Sequence, residues 1–173
     1  MSSPSESTAS SCPYVVGDDG LARWSETHAD AWIGLLETHK QLTRALEAEL
    51  ENRHGLSLSG LEVLGRIAAS DRRRLRLSTL ANETGLSLSR ISRIIDLLQA
   101  RGLVERRACA EDARAVEAHL TDEGLSVTRE AQATHFASVQ QRFFELLGPG
   151  EIEALAVVFA RFAPRAAQAC TTE

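Results

Sequence analysis

The chain has 173 residues, 43% of them hydrophobic, and a formal net charge of −5. This length suits one domain with a buried core, or one domain with helical extensions. The lack of a long apolar run excludes a transmembrane helix, and the Ser-rich start lacks the basic and apolar segments of a signal peptide. Three widely separated cysteines, Cys12, Cys109 and Cys170, are typical of a cytoplasmic protein without disulfides.

The N-terminal third predicts a tail and one long helix. Residues 1–20 are rich in Ser and poor in hydrophobic side chains, which is typical of a mobile tail. A helix is predicted over residues 21–52, because apolar and aromatic positions recur at helical spacing. These positions are Trp32, Leu35, Leu36, His39, Leu42, Leu46 and Leu50. Gly55 then ends the helix.

A second helix is predicted next, with Ser59 as its N-cap. Its apolar positions are Leu61, Val63, Leu64, Ile67 and Ala68. Residues 71–74 form a charged connection, and residues 75–77 are a candidate short strand.

Residues 77–106 predict two short helices joined by a tight turn. The first covers residues 78–84 with Leu80 and Ala81 facing inward, and Gly85 supplies the positive φ that the turn needs. Ser87 is a suitable N-cap for the second helix. The apolar stripe of that helix is Leu88, Ile91, Ile94, Ile95 and Leu98, and its opposite face carries Ser89, Arg90, Ser92 and Arg93. This pattern predicts a helix-turn-helix whose second helix enters the major groove of DNA.

Two strands of alternating character follow, over residues 103–109 and 115–120, around a charged tip at residues 110–114. They predict a hairpin, the wing of a winged helix. A long helix is then predicted over residues 121–147 and a last one over residues 151–162, with a break at residues 148–150 and Pro164 after the end. The long helix has Leu125, Thr128, Gln132, His135, Phe136, Val139, Phe143 and Leu146 along one side, and the last has Ile152, Leu155, Val158, Phe159 and Phe162 inward.

The sequence thus predicts a mainly α fold with a small β-hairpin wing, a winged helix-turn-helix with N- and C-terminal dimerisation helices. The predicted divisions are a tail at 1–20, an N-terminal dimerisation helix at 21–55, a DNA-binding lobe at 56–120 and C-terminal dimerisation helices at 121–173. Long exposed apolar stripes would favour aggregation of a monomer, so we expect a two-fold dimer. Two recognition helices about 34–36 Å apart would fit a palindromic DNA site.

The motifs carry a family resemblance. The runs LANETGLSLSRISRIIDLLQ and GLVERRACAEDARAVEAHLTDEG resemble the MarR family of bacterial transcriptional regulators. Asp112 and Arg114 match the D-x-R pair of the family's wing, and Leu120, Thr121 and Gly124 match its strand-to-helix junction. The resemblance covers about 50 of 173 residues. It implies a homodimer that binds double-stranded DNA, with Arg114 in a minor groove and Asp112 holding the shape of the wing.

The distribution of charge agrees with a DNA partner. Residues 66–114 hold 11 Arg against 6 Asp and Glu, whereas the rest of the chain holds 8 Lys and Arg against 18 acidic residues. A basic segment in an acidic protein favours binding of a polyanion at that segment.

Specific roles in DNA binding are assigned with their alternatives. Arg90 and Arg93 would read a guanine edge, another base or a phosphate, or else form a solvated helix face. Ser87, Ser89 and Ser92 would donate to phosphates near the helix N-terminus, although Ser87 is also explained as a cap alone. Flanking phosphate contacts are predicted for Arg73, Arg74, Arg106 and Arg107. Alternatively, Arg106 or Arg107 pairs with Glu105 or Glu117, and Arg73 and Arg74 lie in a solvated loop.

We consider three kinds of signal that could regulate the protein: a metal ion, cysteine oxidation and a small-molecule ligand. The histidines and cysteines show no metal-ligand spacing, so neither a metal site nor a cofactor is predicted. Cys109 on the wing is better explained as a small strand residue than as a redox sensor. In the resembling family, phenolic or carboxylate ligands bind where the dimer helices meet the DNA-binding lobe. Trp32, His39 and Arg66 are the candidate ligand contacts here, although Trp32 and His39 are equally explained by packing.

The function predicted is that of a homodimeric DNA-binding transcriptional regulator, most often a repressor. The alternative is a winged-helix docking module for another protein, since the terminal helices are acidic. No catalytic motif is present, so an enzyme is not predicted.

Overall fold

The computed structural model describes residues 14–109 and 116–162. The elements are β1 (Tyr14–Val16), β2 (Ala22–Trp24), α1 (Glu26–His54), α2 (Leu58–Ala69), β3 (Arg74–Arg76), α3 (Leu77–Thr84), α4 (Leu88–Ala100), β4 (Val104–Ala108), β5 (Val116–Leu120), α5 (Asp122–Arg142) and α6 (Glu151–Ala160). Within those ranges, no helix combines the length and apolarity needed to cross a lipid bilayer. The chain divides into two compact units, residues 1–43 and 44–173.

The first unit contains a hairpin that the sequence did not predict. Strands β1 and β2 pair antiparallel with Tyr14 opposite Trp24, and the two rings meet edge to face at 6.0 Å. Gly20 supplies a positive φ in the turn, and Arg23 pairs with Asp19 beside it. The predicted start of the first helix at residue 21 is therefore wrong, because this local pairing delays α1 until Glu26. The predicted tail before residue 14 lies outside the described residues.

The core of the second unit is formed by the end of α1, helices α2, α3 and α4, and the strands. Its fully buried side chains include Leu50, Leu56, Val63, Leu64, Ile67, Leu80, Ile91, Ile95, Val104 and Ala118. Burying one such aliphatic side chain stabilises the fold by roughly 1.5–3 kcal/mol. The mainly α fold with a small wing is confirmed.

The three-stranded sheet has the order β3-β5-β4. Strands β4 and β5 pair antiparallel from Val104 opposite Leu120 to Ala108 opposite Val116, which confirms the predicted hairpin. The predicted short strand beside the wing is also found, one residue earlier than expected, with Leu75 opposite Ala118. The predicted polar tip at residues 110–114 lies outside the described residues.

The helix ends follow local capping chemistry. Gly85 has a φ of +69°, and the Ser87 hydroxyl accepts from the Arg90 amide, both as the sequence predicted. The predicted N-cap of helix α2, Ser59, is wrong. Ser57 is the N-cap, and its hydroxyl accepts from the Gly60 amide at 3.0 Å. The cap thus comes two residues earlier, at the last residue with extended backbone before the helix.

The C-terminal helices bury fewer side chains than their apolar patterns suggest. In α5, Thr128 and Ala131 are buried, whereas Phe136 is 66% exposed. Helix α5 ends at Arg142, and a 3₁₀ turn (Phe144–Leu146) continues the chain, so the predicted end at residue 147 is too late. In α6, the described residues do not cover most of the side chains predicted to face inward. Leu155 is half-buried, and Ile152, Val158 and Phe159 are exposed, as is Phe162 just beyond the helix.

Gly124 lets the first turn of α5 approach the loop between α4 and β4. A Cβ built on Gly124 would overlap the carbonyl oxygen of Leu103, a backbone atom that cannot rotate away. The same loop is held by the Thr121 hydroxyl, which donates to the Gly102 carbonyl at 2.8 Å. Only glycine fits this junction between the recognition helix, the wing and α5.

We therefore expect Gly124→Ala to lower the free energy of unfolding by about 2 kcal/mol, within the range that overpacking costs. Urea denaturation of both proteins measures the difference. Gly65→Ala is the matched control, because a Cβ there meets only the movable end of the Gln132 side chain. Equal losses for the two variants would contradict the steric explanation.

Candidate nucleic-acid interface

Helices α3 and α4 form the helix-turn-helix, and buried side chains fix how α4 is turned about its axis. Ile91 and Ile95 are fully buried, and Ile94 and Leu98 nearly so, as the sequence predicted. Leu88 was predicted on the same stripe but is 54% exposed, because it lies in the first turn of α4, where the core does not cover it.

Burial of this stripe leaves two arginines on the exposed surface of α4. Arg90 and Arg93 are both exposed, and no hydrogen bond or ion pair joins either guanidinium to another described residue. Ser89 is exposed beside them, and its hydroxyl lies 3.1 Å from that of Ser87. The positive end of the helix dipole adds to the charge of the two guanidinium groups. This surface suits an anionic ligand.

Arg106 does not extend outward from the wing but reaches back to α4. Its Nη2 lies 2.8 Å from an oxygen of Asp96, and it donates to the carbonyl and the hydroxyl of Ser92 at 2.8 and 2.9 Å. These three acceptors on α4 hold the Arg106 guanidinium, whereas its predicted contact with DNA stays a prediction. Ser92 is half-buried by the same contact.

Three further predicted arginines that the structure describes are each paired with a carboxylate. Arg107 pairs with Glu105 at 2.7 Å, as one alternative from the sequence proposed. Arg73 lies 3.3 Å from Asp122, and Arg74 lies 3.7 Å from Glu117. The side chains of Arg73 and Arg107 are 45% and 59% exposed, so solvent screens these pairs and they are weak.

Two predicted DNA-binding residues, Asp112 and Arg114, lie outside the described residues. The strands that lead to them end at the pairing of Ala108 with Val116.

Arg101 is a functional candidate that sequence reasoning missed. It caps the C-terminus of α4, and its guanidinium donates to the Gly55 carbonyl at 2.6 Å and to the His54 carbonyl at 2.8 Å. A cation near a helix C-terminus is a recognised sequence signal, but the partner here is the C-terminus of another helix, α1. No local pattern reveals that contact.

A pocket of about 570 Å³ lies on the second unit, away from the arginines of α4. Its lining is Leu58, Ser59, Leu61, Glu62, Gly65, Arg66, Ala69, Gln132, His135 and Phe136. Arg66 lies 3.4 Å from Glu62 and 3.6 Å from Glu83, so its charge is already partly balanced. Of the three predicted ligand contacts, Arg66 lines this pocket, whereas Trp32 and His39 are exposed side chains of α1.

His135 in this pocket has a buried Nδ1 atom without a hydrogen-bond partner. Desolvation by burial lowers the pKa of His135 below its ordinary value of 6.5. The folded chain therefore favours the neutral ring, and protonation opposes folding as the pH falls below that value.

Cys109 is the cysteine that the described part of the chain contains. Cys109 is buried, and the Arg76 guanidinium donates to its Sγ at 3.3 Å. Among the described residues, no group of three His, Cys, Asp or Glu side chains is arranged to hold a metal ion.

Comparisons with known proteins identify the family. The model of the MarR family matches residues 54–115, and a comparison with curated proteins finds no match. The structure of AbsC, a MarR family transcriptional regulator from Streptomyces coelicolor, is 34% identical, covers 83% of this chain and 97% of its own, and superposes with a TM-score of 0.75. Sco3205, a MarR family regulator of the same organism solved in complex with DNA, is 29% identical, covers 86% and 96%, and has a TM-score of 0.76. The chain belongs to the MarR family of transcriptional regulators.

Proposed function

We propose that this protein is a homodimeric regulator that binds a palindromic DNA site, acts most often as a repressor, and responds to a small ligand. The observation that supports it best is the pair of exposed guanidinium groups, Arg90 and Arg93, on the recognition helix α4. The complex of Sco3205 with DNA supports a DNA partner for a chain of this fold.

We assign base and phosphate contacts to the first two turns of α4. Arg93 reads a guanine edge, because a guanidinium donates in parallel to O6 and N7. Arg90 binds a second base or a phosphate, and Ser87 and Ser89 donate to phosphates at the helix N-terminus. Ser92 contributes less, since Arg106 already engages its hydroxyl oxygen.

We propose that Arg114 enters the minor groove of DNA and that Asp112 maintains the conformation of the wing. Arg106 supports them indirectly, because it fastens β4 to α4 and so fixes the wing relative to the recognition helix. Arg73, Arg74 and Arg107 are secondary phosphate contacts, since each must first give up part of its pairing with an acid.

The dimer follows from side chains that this chain leaves uncovered. On α1, Trp32, Ile33, Leu35 and Leu36 are 46–56% exposed, and on α6, Ile152, Val157, Val158 and Phe159 are 42–59% exposed. A second copy that covers these surfaces removes them from water. The DNA-binding lobe is then residues 56–120, with the dimerisation helices in residues 21–55 and 121–173.

The rival function, docking of a protein to the winged helix, fits the surface of α4 less well. Protein interfaces are depleted of charge at their centre, whereas α4 exposes two unpaired cations. A heparin column separates the two proposals, because a DNA-binding surface is retained until the salt concentration is high.

The ligand proposal concerns the pocket beside Arg66. Its walls are mostly apolar and hold the Arg66 guanidinium and the neutral His135 ring. An aromatic carboxylate or phenol matches this combination, with its ring against Leu61 and Phe136. A ligand that prefers one separation of the recognition helices shifts DNA affinity by a coupling of about 1–3 kcal/mol.

Arg93→Ala is expected to cost about 1–3 kcal/mol of DNA binding and to relax specificity at one base pair. Fluorescence anisotropy with duplexes selected from genomic DNA measures both effects. Arg129→Ala is the matched control, because Arg129 is an exposed arginine of α5, outside the helix-turn-helix, and no hydrogen bond or ion pair joins it to another described residue. If the two variants bind alike, Arg93 does not read DNA.

Phe159→Glu is expected to convert the dimer to monomers, because a buried carboxylate without a partner is strongly unfavourable at an interface. Sedimentation equilibrium measures the mass, and circular dichroism checks that the monomer stays folded. Glu153→Ala, on the same helix, leaves the dimer intact. A Phe159→Glu variant that remains dimeric would refute α6 as a dimerisation helix.

Arg66→Ala is expected to weaken binding of benzoate roughly tenfold, as for loss of one hydrogen bond to a charged group. Isothermal titration with benzoate, and with benzamide as the uncharged analogue, measures the effect. Benzamide binds the wild type and the variant equally. Equal affinity of the wild type for both compounds would contradict an anion site at Arg66.

A further inference from the structure

The C-terminus of α1 is fastened to two other helices by side-chain hydrogen bonds. A Glu47 carboxylate oxygen accepts from the Leu58 amide at 2.8 Å and so caps α2. The His54 ring lies 2.8 Å from the Thr134 hydroxyl of α5. These hydrogen bonds hold the last turns of α1 against α2 and α5.

Arg101 joins the recognition helix α4 to the end of α1. Its two terminal nitrogens donate separately to the carbonyls of His54, the last residue of α1, and of Gly55, the residue after it, at 2.8 and 2.6 Å. These carbonyls carry the partial negative charge of a helix C-terminus, which a guanidinium stabilises. Among the described residues, these are the two side-chain hydrogen bonds that join α4 to the end of α1.

The geometry of the contact favours arginine specifically. A guanidinium presents two donors in one plane and reaches both carbonyls at once, whereas a lysine ammonium is a single point of charge. Gly55 adopts a φ of +59° just after α1 ends, and a Cβ built there would be in ordinary van der Waals contact with the Arg101 guanidinium, 3.5 Å from Nη1. The turn after α1 and the side chain from α4 thus occupy one closely fitted region.

We propose that Arg101 is a positioning residue for DNA recognition, because it holds the C-terminal end of α4 on α1. The proposal rests on the proposed function, in which α1 belongs to the dimer scaffold. Each recognition helix is then held at a set distance from the two-fold axis. Arg101 makes the protein selective for the spacing of the two half-sites without touching a base.

Arg106 connects a different pair of elements from Arg101. It joins α4 to β4 of the wing through Asp96 and Ser92, and no hydrogen bond or ion pair joins it to the described residues of α1. Loss of Arg106 loosens the wing, whereas loss of Arg101 loosens the end of α4 relative to α1.

The experiment compares wild type, Arg101→Ala, Arg101→Lys and the control Arg129→Ala on three duplexes. The duplexes carry the selected palindrome with its natural half-site spacing, with one base pair inserted at the centre, and with one removed. Wild type and Arg129→Ala prefer the natural spacing. Arg101→Ala reduces that preference by roughly three- to tenfold, since exposed charge-assisted hydrogen bonds contribute modestly. Arg101→Lys restores part of it.

Specificity within a half-site is the second readout. A substitution of the guanine read by Arg93 weakens wild type and Arg101→Ala by the same factor, because the contacts of one helix with one groove are unchanged. A uniform loss of affinity by Arg101→Ala on all three duplexes overturns the proposal, since that result indicates general destabilisation. An unchanged preference for spacing overturns it as well.

Hydrogen exchange without DNA separates this proposal from the proposed function. Amides near the C-terminus of α4 exchange faster in Arg101→Ala than in wild type, whereas those of α5 near Arg129 do not change. Unchanged exchange in α4 refutes the fastening by Arg101 even if the protein binds DNA. Faster exchange, together with wild type that binds no duplex, leaves the fastening intact but refutes the proposed function and with it the role of Arg101 in spacing.

Discussion

Burial of one apolar stripe on α4 determines what the recognition helix can offer to a partner. Ile91, Ile94, Ile95 and Leu98 are drawn into the core because they recur with the period of the helix. Rotation of α4 about its axis would expose several of these side chains at a cost of roughly 1.5–3 kcal/mol each. The arginines between them therefore face outward as a consequence of packing.

The arginines around α4 differ in whether they have a partner and in what that partner is. Arg90 and Arg93 have none within the described residues, Arg107 has a carboxylate, and Arg101 has the carbonyls of a helix end. Pairing removes an arginine from long-range attraction of DNA, whereas an unpaired guanidinium keeps its full charge for the ligand. A net charge of −5 is thus compatible with a DNA-binding surface, because the charge that matters is the local, unpaired charge.

Sequence reasoning succeeded where structure is decided locally. The positive φ of Gly85, the cap at Ser87 and the pairing of the two wing strands as a hairpin follow from rules that involve a few neighbouring residues. It did not find the partners of Arg106, which lie 10 and 14 residues away in the chain, or those of Arg101, which lie 46 and 47 residues away. Such partners are chosen by tertiary packing, which a single sequence does not show.

Three separate attachments leave α4 little freedom, and each restrains a different motion. The apolar stripe sets rotation about the helix axis, Arg106 sets the position of the wing relative to α4, and Arg101 sets the end of α4 relative to α1. Burial of the apolar stripe contributes much stabilisation, but it is non-directional and so resists a small shift of α4 along its axis only weakly. Hydrogen bonds resist sliding because their energy falls steeply with distance and angle. In the proposed function, a change in the separation of the recognition helices acts on the exposed contact of Arg101, because that contact joins α4 to the end of α1.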